Sequence, residues 1–276
     1  EIMKYVSFTL SSGSAGFGRL HGDTIEVLSS HAADLKAAID AGTLATLGSE
    51  EQLALDSVTL APVIPNPGKV FCVGHNYETH RQETGRAATE YPSIFVRFAD
   101  SLGAHNQPIV MPKVSTDLDY EGELAVIIGK GGRYISEEDA MSHVAGYACF
   151  NDASVRDWQW HSRQFTPGKN FPTTGPFGPF MVTPDEAGDL SEVNVTTKLN
   201  DQIVQQQPIG DMIFPIATVI AYISSFTPLK PGDVIASGTP GGVGAKRTPP
   251  LWMKPGDTVT VEIGPMGTLS NTIVAE

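Results

Sequence analysis

The sequence predicts a β-rich α+β fold preceded by a small α/β module, on three observations. From Lys69 onward many short β-like runs follow one another between Gly and Pro turns. Only two helical candidates interrupt them, and the Pro-rich stretch "LAPVIPNPGK" separates this region from what comes before. The module, residues 1–66, opens with the alternating runs "YVSFTL" and "AGFGRLHGDTIEVL", punctuated by Gly13, Gly18 and the Gly22-Asp23 pair, which reads as strands joined by tight turns. "AADLKAAIDAG" then has helical spacing and a stop at Gly42. Residues 67–276 form the second domain. Its strands are expected at "KVFCVG", "SIFVRF", "ELAVIIG", "HVAGYACF", "NVTTKLN", "DVIAS" and "TVTVEIG", and its helices at Tyr77–Thr84 and Phe214–Ser225.

With 276 residues, 41% apolar and 18% charged, the chain can bury a sizeable core. A formal net charge of −13 argues against a nucleic-acid partner, because no basic stripe is available to neutralise phosphates. An anionic substrate must then be drawn in by local cations or by a metal. No run approaches the roughly 18 apolar residues of a membrane span. The start, "EIMKYVSFTL", has no basic segment leading into an apolar one, so a cytoplasmic protein is expected, with Met3 as its natural start after two extraneous residues. The only cysteines, Cys72 and Cys149, lie in apolar strand-like stretches and are read as buried free thiols.

Four stretches can carry chemistry. In "DLDYEGELAVII" a strand that should be buried begins with Asp119, Glu121 and Glu123 on one face, an arrangement that repels itself unless water or a cation covers it. Glu121 and Glu123, about 7 Å apart along the chain, can close on one ion. In "CFNDASVRDWQW" an apolar strand ends and Asp152 opens an expected helix, offering a third oxygen. Three carboxylates without Cys or His suit Mg²⁺, Mn²⁺ or Ca²⁺ rather than zinc; the alternative is a helix N-cap and a solvated acidic face. In "GHNYETHRQE" His80 and Glu83 lie three apart on one helical turn, so the carboxylate can orient the imidazole as a general base, although such pairs are also common on surface helices. Arg156 and Gln159 share a helical side with Asp152, and Lys169 lies in the Gly- and Pro-rich loop "TPGKNFPTTGPFGP" with Thr173 and Thr174 nearby. These are a cation and amide donors suited to a developing oxyanion. Trp158 and Trp160 read as core or pocket wall. Finally, "SGTPGGVG" lacks the Lys and Ser/Thr of a phosphate loop, which excludes nucleotide binding; its turn instead lets backbone and the Thr239 hydroxyl approach a small ligand.

Taken in order, "GHNYETHRQE", "DYEGELAVIIG", "FNDASVRDWQ", "GKNFPTTGPFGP" and "SGTPGGVG" resemble the fumarylacetoacetate hydrolase family over about residues 67–276. The resemblance implies a mixed β-sandwich roll, usually a homodimer, with Mg²⁺, Mn²⁺ or Ca²⁺ held by Glu121, Glu123 and Asp152. It implies that His80 with Glu83 activates water, that Gln159 and Lys169 polarise the substrate's oxo groups, and that Thr239 contributes its hydroxyl. Arg156 supports the site, and Arg97 is assigned to substrate binding. Two positions depart from the family pattern: Arg97 stands where many members have Lys, and His75 where they have a bulkier or uncharged residue. Arg is a fixed forked cation, whereas Lys can also lose a proton. The expected activity is metal-dependent hydrolysis of a C–C bond in a small acylpyruvate-like 2,4-dioxo acid. Isomerisation or decarboxylation of 2-oxo or 2-hydroxy-dienoic acids on the same scaffold is the alternative.

Overall fold

The computed structural model describes residues 3–276; Glu1 and Ile2, and with them the expected two-residue extension, lie outside the described residues. Its centre is the strand Gly122–Ile128, buried at every position. Alternation explains how it serves two cores at once: Leu124, Val126 and Ile128 pack into one apolar cluster, and Ala125 and Ile127 into another on the opposite face. It pairs antiparallel with Val144–Asn151 on one side and with Val234–Ala236 on the other. Val234–Ala236 runs parallel to Val70–Gly74, which pairs antiparallel with Ser93–Arg97. On the far side Val144–Asn151 pairs with Gly175–Val182, and that strand with Lys4–Thr9. The strands before residue 66 therefore extend the same 12-stranded sheet.

A second sheet of five strands runs in the order Gln202–Pro208, Asn194–Leu199, Thr258–Glu262, Thr268–Ala275, Ile109–Met111. The two sheets meet at Gly122, where a Cβ would lie 2.0 Å from Thr197 Oγ1, so only glycine fits. Among the helices, Leu35–Ala41 is capped by the Asp34 side chain and stopped by Gly42 at φ 71°. The helix Glu78–Thr84 stops in the same way at Gly85. Ile216–Phe226 buries Val219, Ile220 and Ile223 against the sheet. No helix among the described residues is long and apolar enough to cross a membrane.

Three local expectations change. The acidic run is not one strand: it breaks at Tyr120-Glu121 into Leu118–Asp119 and Gly122–Ile128. Asp152 does not open a helix, because Ser154 first pairs with Asp119 and the Arg156 amide is taken by the Asp117 carbonyl, so the helix begins only at Arg156. The stretch "GPFGPFMV", read as loop for its Gly and Pro content, is the fully buried strand Gly175–Val182, and Lys169 ends a one-turn helix, Thr166–Lys169.

One buried amide ties the elements around the site together. Asn76 donates to the carbonyls of Phe214 (3.0 Å) and Ser237 (2.7 Å) and accepts from the Phe214 amide (2.7 Å). It thus fixes the end of Val70–Gly74 against both the Ile216–Phe226 helix entry and the Gly-rich turn. Asn76→Ala strands these buried backbone groups, and we expect a loss of about 2–4 kcal/mol of stability, read from urea unfolding midpoints.

Candidate active site

The hairpin register brings the acids together. Gly122 stands opposite Asn151 and Glu123 opposite Phe150, and one further step sets Glu121 opposite Asp152 at the same end of the pair. The Asp152 amide donates to the Glu121 carbonyl at 2.9 Å, and Asn151 Oδ1 accepts from the Glu121 amide at 3.1 Å. As a result Glu121, Glu123 and Asp152 are all buried and each offers a carboxylate oxygen within 4.8 Å of the others'.

Three cations reach this cluster from other elements. Lys169 Nζ lies 3.2 Å from Glu121 Oε1 and 3.0 Å from Asp152 Oδ2. Arg97 Nε donates to Asp152 Oδ1 at 2.6 Å. Arg156 Nε donates to Asp119 Oδ2 at 2.9 Å, while its NH2 group sits 2.8 Å from Glu121 Oε2 as an ion pair without an aligned hydrogen bond. Glu123 receives only the Gly238 amide, at 2.9 Å. The consequence is a divided pair. Burial alone raises Glu121, but Lys169 and then Arg156 outweigh it and hold this carboxyl well below the usual range. Burial, then the charges of Asp152 and Glu121, push Glu123 well above it.

Those facts test the fit of a divalent cation. Hard ions such as Mg²⁺ or Ca²⁺ hold oxygens at about 2.0–2.6 Å, so oxygens on opposite sides of one ion stand about 4–5 Å apart, the span seen here. Glu123 is a buried carboxylate with no cationic side chain bonded to it, so a cation at the triad would supply its missing partner. The three residues could hold a divalent metal.

Beside the triad is a cavity of about 100 Å³ lined by Glu121, Lys169, Arg156, Gln159, His80 and Thr239, with Val73, Phe95, Trp160, Phe165 and Val243 among its walls. Two one-turn helices present Gln159 and Lys169 side by side because Gly168 touches Gln159 so closely that a Cβ would lie 2.3 Å from its backbone nitrogen. Arg156 donates to Gln159 Oε1 at 2.9 Å, which leaves the amide NH₂ free to donate elsewhere. His80, buried, shares Nδ1 with Glu83 Oε1 at 2.8 Å; an ionised Glu83 only accepts, so Nδ1 carries the proton and Nε2 has a free lone pair. Glu83 also accepts from the Gly242 amide at 2.9 Å, and Thr79 Oγ1 from the Gly241 amide at 2.9 Å, which docks the helix on the Gly-rich turn.

The likeness to known proteins follows this geometry. The family model described as fumarylacetoacetate (FAA) hydrolase C-terminal matches residues 69–274. The chain belongs to this family. Among its relatives, a mitochondrial oxaloacetate tautomerase of Xenopus laevis is 39% identical over 241 residues, covering 87% of this chain and 76% of that protein. An oxaloacetate tautomerase of Bacillus subtilis is 41% identical over 224 residues, covering 80% and 74%. The solved fumarylacetoacetate hydrolase of Exiguobacterium antarcticum superposes with a TM-score of 0.86 at 33% identity, covering 99% of this chain and 100% of that one. The solved 2-hydroxyhepta-2,4-diene-1,7-dioate isomerase of Mycobacterium marinum does so at 0.82 and 29%, covering 99% of each.

Of the ten residues singled out in the sequence, eight lie at the triad or line the cavity, and Glu83 stands behind His80 without lining it. Arg97 differs: it stands behind Asp152, its remaining donors directed to Ala153, Ser101 and Thr174, and it does not line the cavity. Thr239 does line it, but its hydroxyl donates to the Gly122 carbonyl and accepts from Gln205. Sequence reading missed Gln205, which bridges the Gly122 amide, Thr239 and the Pro240 carbonyl, because nothing in "IVQQQP" sets one glutamine apart. It also missed that Asp119 accepts from the Gly244 and Ala245 amides and from Arg156, so this acid anchors the Gly-rich turn. His75, noted as a departure, stacks on His80 at 5.3 Å and 15°. Burial, then the charges of His80 and Arg86, lower it to about 4, so it stays neutral beside His80.

Two outcomes follow for the triad. Mg²⁺ or Mn²⁺ at about 100 times its dissociation constant should stabilise the protein by about 2–3 kcal/mol, seen as a rise in Tm, and Glu123→Gln should remove most of that rise. Without metal the order changes. A carboxyl raised in the folded state contributes stability that is lost as pH climbs through its folded pKa, so at pH 8 metal-free Glu123→Gln should melt no lower than wild type.

Proposed function

We propose that this protein interconverts the keto and enol forms of a small 2-oxo acid of the oxaloacetate kind, by moving a proton between carbon and oxygen. One observation carries the reading: a proton acceptor, His80 backed by Glu83, shares one small cavity with Lys169, Gln159 and Glu121, the member of the carboxylate triad that lines it. About 100 Å³ is a few waters' volume, well below the roughly 300–1,000 Å³ of pockets for larger ligands, which favours a compact acid. The likeness to oxaloacetate tautomerases and to a solved isomerase supports the same class, ahead of the hydrolysis that the sequence put first.

A divalent cation held by Glu121, Glu123 and Asp152 supplies a Lewis acid for the 2-oxo and carboxylate oxygens when bound. The chain's own groups do the rest. His80 Nε2 removes the proton next to the oxo group while Glu83 stabilises the imidazolium through Nδ1–H. Lys169 and the Gln159 amide donate to the oxygen on which negative charge develops, and Arg156 keeps that amide oriented. The proton on Nε2 then returns to the oxygen, or in the reverse direction to the carbon, so none is consumed and no water enters. Val73, Phe95 and Phe165 limit water in the cavity.

C–C hydrolysis is the second reading, favoured by the same dyad, since a base that takes a carbon-bound proton can also activate water, and by the likeness to a solved fumarylacetoacetate hydrolase. One experiment separates them: enol absorbance and pyruvate release are followed together on oxaloacetate and on an acylpyruvate. Rapid keto–enol exchange without cleavage is expected, lost with EDTA and restored by Mg²⁺ or Mn²⁺. Cleavage of the acylpyruvate at a rate equal to or above exchange would give the activity to hydrolysis. His80→Ala should slow exchange about 10²-fold or more without changing metal affinity, and Glu83→Gln should slow it less. The homodimer implied by the family is checked by light scattering.

A further inference from the structure

We infer that Arg86 and Lys246 form a second anion subsite at the mouth of the cavity, which takes the remote carboxylate of a 2-oxo diacid. The inference rests on the 2-oxo acid reading above and deepens it by naming what distinguishes the substrate's far end.

Both side chains line the same cavity as Lys169 and Glu121. The two cations at its inner end are committed, Arg156 to Asp119 and Glu121 and Lys169 to Glu121 and Asp152, as is Arg97 behind them to Asp152. Arg86 and Lys246 differ, for neither meets an acidic side chain among the described residues. In a chain of net charge −13, two cations without an acidic partner that line the same cavity make its opening locally positive.

Their placement is also fixed at both ends. Arg86 follows the Gly85 stop of the helix carrying His80, and its backbone is clamped by Arg81, whose NH1 donates to the Arg86 carbonyl at 2.6 Å while the Arg86 amide donates to the Arg81 carbonyl at 3.3 Å. Lys246 stands on the turn that Asp119 holds through the Gly244 and Ala245 amides at 2.8 and 2.9 Å. Each charged head rests on an aromatic wall of the cavity: the Arg86 guanidinium 5.3 Å from the Phe165 ring and the Lys246 ammonium 5.3 Å from the Trp160 ring. Cations held over rings keep their charge available to an oxyanion, because an aromatic face attracts without neutralising.

The two cations thus approach the opening from different segments, one from the helix side and one from the Gly-rich turn. An acid gripped at the triad and Lys169 points its other end toward them, and a carboxylate there bonds to groups that otherwise face water. A 2-oxo monoacid leaves them idle.

The test uses Mg²⁺-loaded protein and two ligands that cannot turn over: 3,3-difluorooxaloacetate, which has no C3 proton to lose, and its 4-ethyl ester, which keeps the 2-oxo acid end but lacks the second charge. Calorimetry on wild type should give at least about tenfold tighter binding of the diacid. Arg86→Ala/Lys246→Ala should bring the two affinities within about twofold, Arg86→Lys/Lys246→Arg should retain the preference, and Arg86→Glu should invert it. All are exposed positions, and unchanged Tm would establish that each variant folds. Equal binding of diacid and ester by wild type, or an undiminished preference in the double Ala variant, overturns the subsite alone. Failure of wild type to bind either ligand overturns the 2-oxo acid reading and the subsite with it.

Discussion

The structure depends on a shortage of positive charge. Four buried carboxylates, Asp119, Glu121, Glu123 and Asp152, meet three buried cations, Arg97, Arg156 and Lys169, so the cluster is one charge short whenever all four are ionised, and Glu123 is the carboxyl pushed toward its neutral form. Uncompensated charge in a dry interior is costly, and the chain devotes several elements to containing it. Ser93–Arg97 delivers Arg97 behind Asp152, while two one-turn helices joined at Gly168 deliver Arg156, Gln159 and Lys169 in front. A divalent cation would turn the deficit into a surplus of one positive charge, and the cluster would then attract a carboxylate instead of repelling it. Under the proposed function, the acids that look wrong for a buried strand are what would give an acidic protein a place for an acidic substrate.

Much of this was legible because it is local. Alternation marked Lys4–Thr9, and short apolar β-like runs marked Val70–Gly74 and Gly122–Ile128; Gly42 marked a helix end; the His80 and Glu83 spacing placed both on one turn. The acid positions were visible too, though not their division, since Asp119 turns away to the Gly-rich turn once the strand breaks at Tyr120-Glu121. What escaped depends on distant segments. Gly175–Val182 is buried throughout yet carries two Gly and two Pro, residues that by themselves signal turns rather than a strand. The Arg97 and Gln205 contacts reach across 55 and 83 residues of chain respectively, beyond any spacing rule.

Hydrolases, isomerases and tautomerases can share such a scaffold because their difficult species is the same: negative charge delocalised from carbon onto an oxo oxygen. On the proposed reading, Lys169, Gln159 and a cation at the triad would serve that species whatever follows. The outcome is then set by what reaches it next, a proton or a water, and hence by the volume and wetness of the cavity rather than by the identity of the base.

The sheet order has a consequence for how the protein is made. Val234–Ala236 lies between Gly122–Ile128 and Val70–Gly74, so a strand near the end of the chain completes the middle of the sheet. During synthesis the two earlier strands wait with open edges until most of the polypeptide has left the ribosome. The same three residues lead directly into Ser237, Gly238 and Thr239, which bond to Leu124, Glu123 and Gly122. Closing the sheet and seating the last carboxylate are therefore a single late event, and a nascent chain cut short before it would carry the acids without the enclosure that makes them useful.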